Sequence, residues 1–256
     1  MAWTGIALSV GMAVAAGLVG CVAVMRRMSL ASDALSHVAL PGIGLALLFH
    51  LHPIAGGLAA LFLGTLLVWA LERQTRIATE TVIGVVFSIA LAIGSMLASG
   101  EDLIDALLGA PGDLGGWEAA LGLVAAGAVA AFVLTQRHRL LLSLVSADLA
   151  RTSGVRVARL DLVYLFAFAL TVALGLRYLG VLLMGSLVII PAAVAKHLAR
   201  SLDEMLALAV AVAVASTLAG EALASALHRA TGPLIIAVAG ALFFASLLAR
   251  RLVRGA

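Results

Sequence analysis

An aspartate and a histidine stand four residues apart inside an otherwise apolar stretch of this chain. The stretch is LASDALSHVALPGIGLALLF, residues 30–49, and the two residues are Asp33 and His37. On a helix, residues four apart project from one face a turn apart, so both side chains can reach the same ion. A carboxylate oxygen and an imidazole nitrogen together suit Zn2+, Mn2+ or Fe2+. Asp33 and His37 are therefore candidate metal ligands.

Two ligands from one helix hold a metal poorly, and the residues leave two interpretations open. In a symmetric dimer with this helix along the axis, two copies supply Asp2His2, which makes a four-coordinate site. Alternatively, Asp33 caps the amino terminus of the helix and His37 is a hydrogen-bonded packing residue, helped by Ser32 and Ser36. These four residues alone favour neither interpretation.

Pro41 and Gly42 follow one turn further on and favour the metal site, because a proline-glycine break lets a helix flex or expose backbone. They form a predicted hinge near the site.

Three other ionisable residues are weaker candidate ligands. His50 and His52 lie in LFHLHP, at the outer edge between two apolar segments, where a solvated turn is the commoner role. Glu221 lies inside an apolar segment, where an ionisable group is a functional hypothesis by default, but the sequence offers it no partner.

The composition indicates that these helices lie in a membrane. Hydrophobic residues make up 64% of the 256 residues and charged residues 11%, whereas soluble domains average about 25% charged residues. The mean hydropathy is +1.19. The net charge of +3 reflects where arginines lie relative to the membrane, and we expect no nucleic-acid partner. Cys21 is the only cysteine, which excludes an intrachain disulfide and a Cys-x-x-Cys metal site.

Nine segments are candidate membrane spans, and we expect them to form a single transmembrane domain over 1–256. No basic region precedes the first segment, so we expect it to remain as a span. One of these segments could be re-entrant or broken rather than a full span. We expect that segment to be 180–195, because it is short and contains Pro191. The predicted spans are 5–25, 30–50, 53–71, 81–99, 117–135, 160–179, 180–195, 204–225 and 232–249.

Basic residues follow every odd-numbered segment, and the positive-inside rule then predicts an outer amino terminus and a cytosolic carboxyl terminus. Only Arg177 and Arg229 of the 16 Lys and Arg would lie outside. The longest predicted outer loop, SGEDLIDALLGAPGDLGGWE at 99–118, is acidic and has no basic residue. We expect it to be a docking or solvated surface rather than a source of ligands.

The stretch QRHRLLLSLVSADLARTSGVRVAR, residues 136–159, is the only substantial segment predicted in the cytosol. Its apolar side is too rich for a free linker and indicates a short helix within about 141–155 that ends at a glycine C-cap. We expect this helix to bind a partner, and the alternative is a helix that lies on the bilayer with its arginines toward anionic headgroups. The residues that mark it are Leu141, Leu142, Leu144, Val145, Asp148, Leu149, Ala150 and Gly154.

The chain contains no G-x-x-x-x-G-K-[ST] phosphate loop, no H-E-x-x-H and no G-x-S-x-G motif. An energy source would therefore be another chain or an ion gradient. The same absence disfavours an intramembrane enzyme with Glu221 and His37 as an acid/base pair. We expect no enzyme activity and no permanently bound cofactor in this chain.

Five stretches together resemble the membrane permease subunit of zinc/manganese/iron-type ABC importers. They occur in the order of that family over nearly the whole chain. They are MSLASDALSHVALPGIGLALLF (28–49), TETVIGVVFSIALAIGSML (79–97), LVSADLARTSGV (144–155), LGVLLMGSLVIIPAAVAKHLA (179–199) and TGPLIIAVAGALFF (231–244). The chain departs from the family pattern at Glu80, where an aspartate is frequent, and at Glu221, where an apolar residue is usual.

The resemblance implies an all-α polytopic membrane protein with about eight or nine transmembrane helices, similar to type II ABC importer permeases. It implies that Asp33 and His37 contact a transported Zn2+, Mn2+ or Fe2+, and that SADLARTSGV fits a groove of an ATPase subunit. It also implies a permease homodimer with two ATP-binding subunits and an extracytoplasmic metal-binding protein, embedded in the lipid of a bacterial cytoplasmic (inner) membrane. The rival function is a secondary, proton-coupled metal carrier that uses Asp33 and His37 as a relay and needs no ATPase.

Overall fold

The computed structural model describes residues 2–28, 31–75, 77–97, 116–179 and 181–254, and within these ranges all regular secondary structure is helical. The predicted all-α class is confirmed. Most of the predicted acidic outer loop, including Glu101, Asp102, Asp105 and Asp113, lies outside the described residues. The helices are α1 (Ala2–Met25), α2 (Ala31–Leu48), α3 (Pro53–Gln74), α4 (Thr79–Leu97), α5 (Gly116–Val145), α6 (Ala147–Thr152), α7 (Val157–Leu179), α8 (Val181–Leu198), α9 (Leu202–Leu227) and α10 (Thr231–Arg254).

Eight of the described helices are long and apolar enough to cross a membrane, namely α1 to α5, α7, α9 and α10. The apolar helix α8 is the shorter ninth, with Met184–Leu198 as its well-described part. It corresponds to the predicted segment 180–195 and continues through Pro191 as one helix. The predicted eight or nine transmembrane helices are therefore confirmed, with α8 as the element on which the count depends.

Several helix ends that carry basic residues meet at one end of the bundle, which we call the basic end. The contacts that join them are Arg26 with Asp161 (2.5 Å), Arg137 with Asp203 (2.8 Å), Trp69 Nε1 with the carbonyl of Ala158 (3.1 Å) and Lys196 Nζ with the carbonyl of Val24 (3.5 Å). They connect the carboxyl-terminal parts of α1, α3, α5 and α8 with the amino-terminal ends of α7 and α9. The helices thus alternate in direction in the way that the arginine distribution predicts.

Helix α1 lies at the centre of the bundle and is the most buried of the spans. Its glycines allow neighbouring helices to approach its backbone. A Cβ atom on Gly20 would lie 2.0 Å from the carbonyl oxygen of Val188 in α8, and one on Gly17 would lie 2.9 Å from that of Ala209 in α9. Small residues at helix contacts are typical of membrane bundles, where close backbone packing replaces the hydrophobic effect.

Helix α5 corrects the predicted boundary of the cytosolic segment. We predicted that the membrane span ends well before a separate short helix over 141–155. Instead, α5 continues to Val145, because no glycine or proline interrupts it after Gly127. It ends where Ser146 caps α6 by accepting a hydrogen bond from the main-chain N–H of Leu149 (3.2 Å). The separate short helix is therefore only α6.

Candidate functional site

Asp33 and His37 lie on a side of α2 that the described part of the chain leaves open. Asp33 is exposed, His37 and Pro41 are half-buried, and Leu45 is exposed further along the same side. Most of the remaining residues of α2 are buried. We call this side, formed by Asp33, His37, Pro41 and Leu45, the open face of α2. The sequence prediction that Asp33 and His37 share one helix face is thus met, and the face is accessible in the single chain.

Helices α3, α4, α7 and α8 contact α2 from its other sides, and the close approaches are with α3, α4 and α8. A Cβ atom on Gly42 would lie 2.2 Å from the carbonyl oxygen of Gly56 in α3, so the two backbones touch there. On α4, a Cβ atom on Gly94 would lie 2.9 Å from that of Leu40. On α8, the carbonyl of Gly185 accepts a hydrogen bond from the hydroxyl of Ser32 (3.3 Å). Close contacts on three sides leave α2 little freedom to rotate, so the open face keeps its orientation.

The contact with α8 also gives the depth of Asp33 in the membrane. A Cβ atom on Gly185 would lie 3.1 Å from the Cβ of Asp33. Gly185 precedes Lys196, at the basic end, by 11 residues, which corresponds to roughly 16 Å of helix. The hydrocarbon core is about 30 Å thick. With Lys196 taken as the edge of the hydrocarbon core, this distance corresponds to about half its thickness, a depth at which a carboxylate facing lipid is unfavourable by about 2.5 kcal/mol or more.

The imidazole of His37 lies against the ring of Phe87 in α4, with 5.4 Å between the ring centroids and an angle of 56° between the planes. Its Nδ1 atom is buried and has no hydrogen-bond partner among the described residues. The hydroxyl of Ser36 donates instead to the carbonyl of Ser32 (2.7 Å). The described contacts therefore do not show His37 as a hydrogen-bonded packing residue, because this buried nitrogen has no donor or acceptor beside it.

The other half of that alternative, Asp33 as the amino-terminal cap of α2, does not match its position. Asp33 lies in the first turn of α2 rather than at the position before it. A carboxylate in the first turn interacts favourably with the partial positive charge at a helix amino terminus. This interaction lowers the cost of an ionised Asp33 in the membrane but leaves its carboxylate oxygens on the open face.

Pro41 adds an acceptor to the same face. It lies within α2, and the helix continues through it to Leu48. Because proline has no N–H, the helical hydrogen bond from residue 41 to the carbonyl oxygen of His37 cannot form. One turn of α2 therefore has the carboxylate of Asp33, the imidazole of His37 and the carbonyl oxygen of His37, which accepts no hydrogen bond from residue 41. Whether Pro41 and Gly42 also act as a hinge stays a prediction; Gly42 has a packing role in contact with Gly56.

The weaker candidate ligands are not gathered around Asp33. His50 and His52 are exposed in the turn between α2 and α3, and the helix between Asp33 and His50 corresponds to roughly 25 Å. Glu221 is half-buried in α9. Among the described residues, no group of three or more His, Cys, Asp or Glu side chains can hold a metal ion. Asp33 and His37 thus form half of a four-coordinate site at most.

The residues that mark the predicted coupling segment divide into an outward and an inward set. Val145 and Leu149 are 74% and 53% exposed, and we call these two side chains the docking patch. Asp148 is also exposed and pairs with Arg151 (2.8 Å). In contrast, Ala150 is fully buried, so its side chain packs within this chain rather than against a partner.

Leu144 and Gly154, at the two ends of the predicted coupling segment, have structural roles. Leu144 is half-buried in the last turn of α5. Gly154 follows the C-cap residue Ser153 and has φ of +80°, the left-handed conformation with which a glycine commonly ends a helix and which residues with a Cβ rarely adopt. The prediction of a glycine-terminated short helix is confirmed, and its contact surface is narrower than we predicted.

Two residues that contact the candidate ligands were missed by sequence reasoning. They are Phe87, which lies against His37, and Gly185, which lies against Asp33. A glycine in an apolar helix is a signal of close helix packing, but it does not indicate which helix it meets. Only the packing of α4 and α8 around α2 identifies these contacts.

A sequence model of the ABC 3 transport family matches residues 1–250. The chain belongs to this family. The match covers nearly the whole chain, including both the open face of α2 and the docking patch, and it confirms the resemblance to ABC importer permeases. Membership of a transport family also agrees with the expectation that this chain is a transport subunit and not an enzyme.

Two relatives from bacteria are similar to this chain over most of their length. The high-affinity zinc uptake system membrane protein ZnuB of Haemophilus influenzae is 31% identical over 260 residues, covering 96% of this chain and 95% of that protein. The manganese import system permease protein ScaB of Streptococcus parasanguinis is 28% identical, covering 93% of this chain and 86% of that protein. Both are membrane components of systems for divalent transition metals.

The fold agrees with a solved structure of this kind. PsaBC from Streptococcus pneumoniae, determined in complex with Fab, superposes with a TM-score of 0.80 at 25% sequence identity. The superposition covers 95% of this chain and 90% of the solved chain. The arrangement of α1 to α10 is therefore that of an ABC importer permease.

Proposed function

We propose that this chain is the membrane permease subunit of an ATP-driven importer for a divalent transition metal, Zn2+ or Mn2+, with Fe2+ as a further candidate. The observation that carries the proposal is the open face of α2, with Asp33 and His37 near the middle of the membrane. A carboxylate at this depth is unfavourable against lipid. The face therefore borders a water-filled path or a second chain, and a divalent cation compensates its charge. The names of the relatives support the choice of metals.

Two copies of the chain complete the site in this proposal. One chain contributes one carboxylate and one imidazole, and no third described residue joins them. A twofold axis beside the open face brings Asp33 and His37 of both copies together as Asp2His2, a ligand set and number that suit these metals. The open face would then line the path of the ion. The cation is the transported substrate and not a resident cofactor.

The energy would come from two ATP-binding subunits, which is consistent with the absence of a phosphate loop in this chain. We assign the basic end of the bundle to the cytosol by the positive-inside rule. The amino terminus then lies outside and the carboxyl terminus inside a bacterial cytoplasmic (inner) membrane. In this orientation the docking patch faces the cytosol, where it can bind an ATPase, and an extracytoplasmic metal-binding protein delivers the ion from the opposite side. The rival function, a proton-coupled carrier, is not favoured by the family.

Transport by reconstituted vesicles tests this proposal. The chain, its ATPase subunits and its delivery protein are placed in lipid vesicles, and uptake of radioactive zinc and manganese is measured with and without ATP. We expect uptake that requires ATP, continues when an ionophore removes the proton gradient, and stops when the phosphate-loop lysine of the ATPase is replaced. Uptake by the chain alone that follows a proton gradient would contradict the proposal and support the carrier.

A further inference from the structure

A cavity of about 460 Å³ opens at the basic end between α5, α7 and the turn that follows α6. Its size is within the range of about 300–1,000 Å³ that is typical of small-ligand sites. Three arginines, Arg139, Arg156 and Arg159, line it, and we call it the arginine cavity. It is separate from the open face of α2, and neither α5 nor α7 contributes a candidate metal ligand.

The α5 wall changes from apolar to cationic along the helix. Phe132, Gln136 and Arg139 line the cavity at successive turns of one face. Arg139 is nearest the basic end, and its guanidinium donates a hydrogen bond to the side-chain oxygen of Gln136 (3.1 Å). Phe132 lies deepest toward the centre of the membrane. This wall thus offers an aromatic ring at one end and a cation at the other.

The α7 wall has the same gradient in the same direction, although the helix runs the opposite way. Arg156 lies directly before its start and Arg159 in its first turn, Leu160 follows Arg159 directly, and Val163 lies one turn beyond Arg159. Val163 is 46% exposed, so the deep end of the cavity is open toward the surroundings of the bundle. Both walls are therefore cationic at the basic end and apolar toward the membrane interior.

The depth of the cavity is marked by a tryptophan. The indole N–H of Trp69 donates to the carbonyl of Ala158 (3.1 Å), directly before Arg159 in the chain. Tryptophans are enriched at the level of the lipid headgroups. Val163 lies four residues deeper than Arg159, which is roughly 6 Å along the helix. The cavity thus crosses the boundary between headgroups and acyl chains.

The three arginines are not neutralised within the described part of the chain. The ion pairs found there are Arg26 with Asp161, Arg137 with Asp203 and Arg151 with Asp148. Asp161, the acidic residue of α7 nearest to the cavity in sequence, thus pairs with Arg26 on another helix. No described carboxylate lies within ion-pair distance of Arg139, Arg156 or Arg159. The cavity has a concentrated positive charge without a counter-charge of its own.

We infer that the arginine cavity binds an anionic phospholipid, with its phosphate at the three arginines and its glycerol and first methylene groups along Phe132 and Val163. A guanidinium group is the side chain best suited to bind phosphate oxygens, because its donors form a planar fork. Basic pockets between helices at this level are typical sites for anionic headgroups. A free phosphate or a partner's carboxylate matches the cationic half alone, whereas an anionic lipid matches both halves.

The bound lipid also contacts the turn that positions the docking patch. Ser153, Gly154 and Val155 line the cavity, and this turn directly follows α6, which carries Leu149. Lipid binding therefore holds the turn against α5 and α7. This consequence does not depend on which metal is transported or on which side of the membrane the basic end lies.

The test uses the full-length chain purified in an uncharged detergent. Retention of phosphatidylglycerol and of phosphatidylcholine is measured by native mass spectrometry, and the shift in melting temperature with each lipid is measured in parallel. We compare the triple variant Arg139→Gln/Arg156→Gln/Arg159→Gln with the control Arg27→Gln/Arg151→Gln/Arg200→Gln, which removes the same charge from the basic end outside the cavity. We expect the first variant to lose roughly 100-fold in affinity for phosphatidylglycerol, because each basic residue near an anionic surface contributes about fivefold.

Other outcomes would overturn the inference. Equal losses in the two triple variants would mean general surface attraction, and equal retention of both lipids by the wild-type chain would mean that charge is not recognised. Inorganic phosphate that displaces the lipid and stabilises the chain as strongly would indicate a free-phosphate site. Loss of lipid on addition of the ATPase subunits would indicate that the cavity binds that partner instead.

Two single variants keep the inference testable should the triple variant not fold. Arg156→Gln changes an exposed residue before the start of α7 and is expected to weaken phosphatidylglycerol binding by about fivefold. Val163→Gln changes the apolar half, and it should weaken lipid binding while leaving any binding of inorganic phosphate unchanged. Unchanged lipid affinity in both variants would overturn the inference.

Discussion

The open face of α2 and the docking patch both have side chains whose polarity does not match their surroundings. The open face is polar where the surroundings are apolar, and the docking patch is apolar where the surroundings are polar. Asp33 and His37 place polar groups near the middle of a membrane, whereas Val145 and Leu149 expose apolar groups at an end of the bundle that extends toward water. Helix α5 has 30 residues, or roughly 45 Å, which is more than about 30 Å of hydrocarbon requires. Its last turns therefore project beyond the membrane. Each mismatch is relieved by a different ligand, a cation in one case and a protein in the other.

The two regions also differ in how the chain supports them. Helix α2 is held by close contacts from α3, α4 and α8, which restrain its open face. The docking patch joins the last residue of α5, Val145, to Leu149 on the six-residue helix α6, which is fixed by the Ser146 cap, buried Ala150 and the Gly154 turn. A rigid polar face suits selection of an ion, because ligand positions must be kept within narrow limits. A small projecting helix suits transmission of movement from a partner. The following experiments test whether the regions separate in this way.

Replacing the ligands of the open face should have the largest effect. We expect Asp33→Ala and His37→Ala each to reduce metal uptake at least about 100-fold. Mutation of a residue that only hydrogen-bonds to a metal ligand already lowers metal affinity or activity about 10- to 100-fold, and loss of the ligand itself should cost at least as much. Asp33→Asn should be nearly as harmful, because it keeps the shape and removes the charge. Ser88→Ala, which removes an exposed hydroxyl from α4, is the control. The ATPase should still co-purify with all of them, and uptake at the wild-type rate in either alanine variant would exclude the metal site.

A charge in the docking patch should weaken binding of the ATPase without affecting the open face of α2. Leu149→Asp places a carboxylate in the expected contact, and we expect ATPase binding to weaken about 30-fold, the equivalent of a hot-spot loss of about 2 kcal/mol. Leu149→Met keeps the apolar contact and is the matched control. Co-purification of the ATPase measures the effect, and zinc binding by the permease should be retained. The double variant Leu144→Asp/Leu149→Asp is less informative, because half-buried Leu144 also packs within the chain. Wild-type ATPase binding and uptake in Leu149→Asp would show that α6 is not the coupling helix.

Weakening the support of the open face should have an intermediate effect. In Gly42→Ala the new Cβ would lie 2.2 Å from a main-chain oxygen of α3, so α2 and α3 must move apart. We expect a loss of stability of about 1–3 kcal/mol, as for overpacking elsewhere, visible as a lower melting temperature of the purified chain. Gly84→Ala in α4 meets nothing within 4 Å and is the control, with equal or slightly raised stability. Equal melting temperatures for the two variants would mean that the α2–α3 contact does not support the face.

The weaker candidate ligands should show the smallest effects. His50→Ala and His52→Ala change exposed residues of a turn, and Glu221→Gln changes a half-buried residue of α9. We expect uptake within about twofold of wild type for all three, because surface substitutions away from special features usually have effects within ±0.5 kcal/mol. Metal uptake at several concentrations measures this. A loss as large as that of Asp33→Ala in any of them would place a second ligand set outside the open face.

The sequence determined those features that depend on solvent and on local spacing. Long apolar segments and the arginine distribution predict the spans and their alternation, because the bilayer accepts few other structures. The i, i+4 spacing of Asp33 and His37 predicts a shared face, and Gly154 predicts the end of a short helix, because both follow from backbone geometry. The motif order predicts the family. The boundary between α5 and α6 was wrong, since the apolar pattern does not distinguish one long helix from two joined ones.

Only the tertiary structure decided which side of each helix is left open. The sequence of one helix does not identify the helix that will pack against it. Small residues such as Gly42 and Gly185 predict a close contact but not the helix that makes it. Packing therefore decided that Asp33 and His37 remain accessible while Ser32 and Ser36 are buried, and that Leu149 projects while Ala150 is covered. It also brought together Arg139 on α5 with Arg156 and Arg159 beside α7, which are far enough apart in sequence to show no pattern. Such arrangements arise from contacts between helices, which local spacing and solvent preference do not encode.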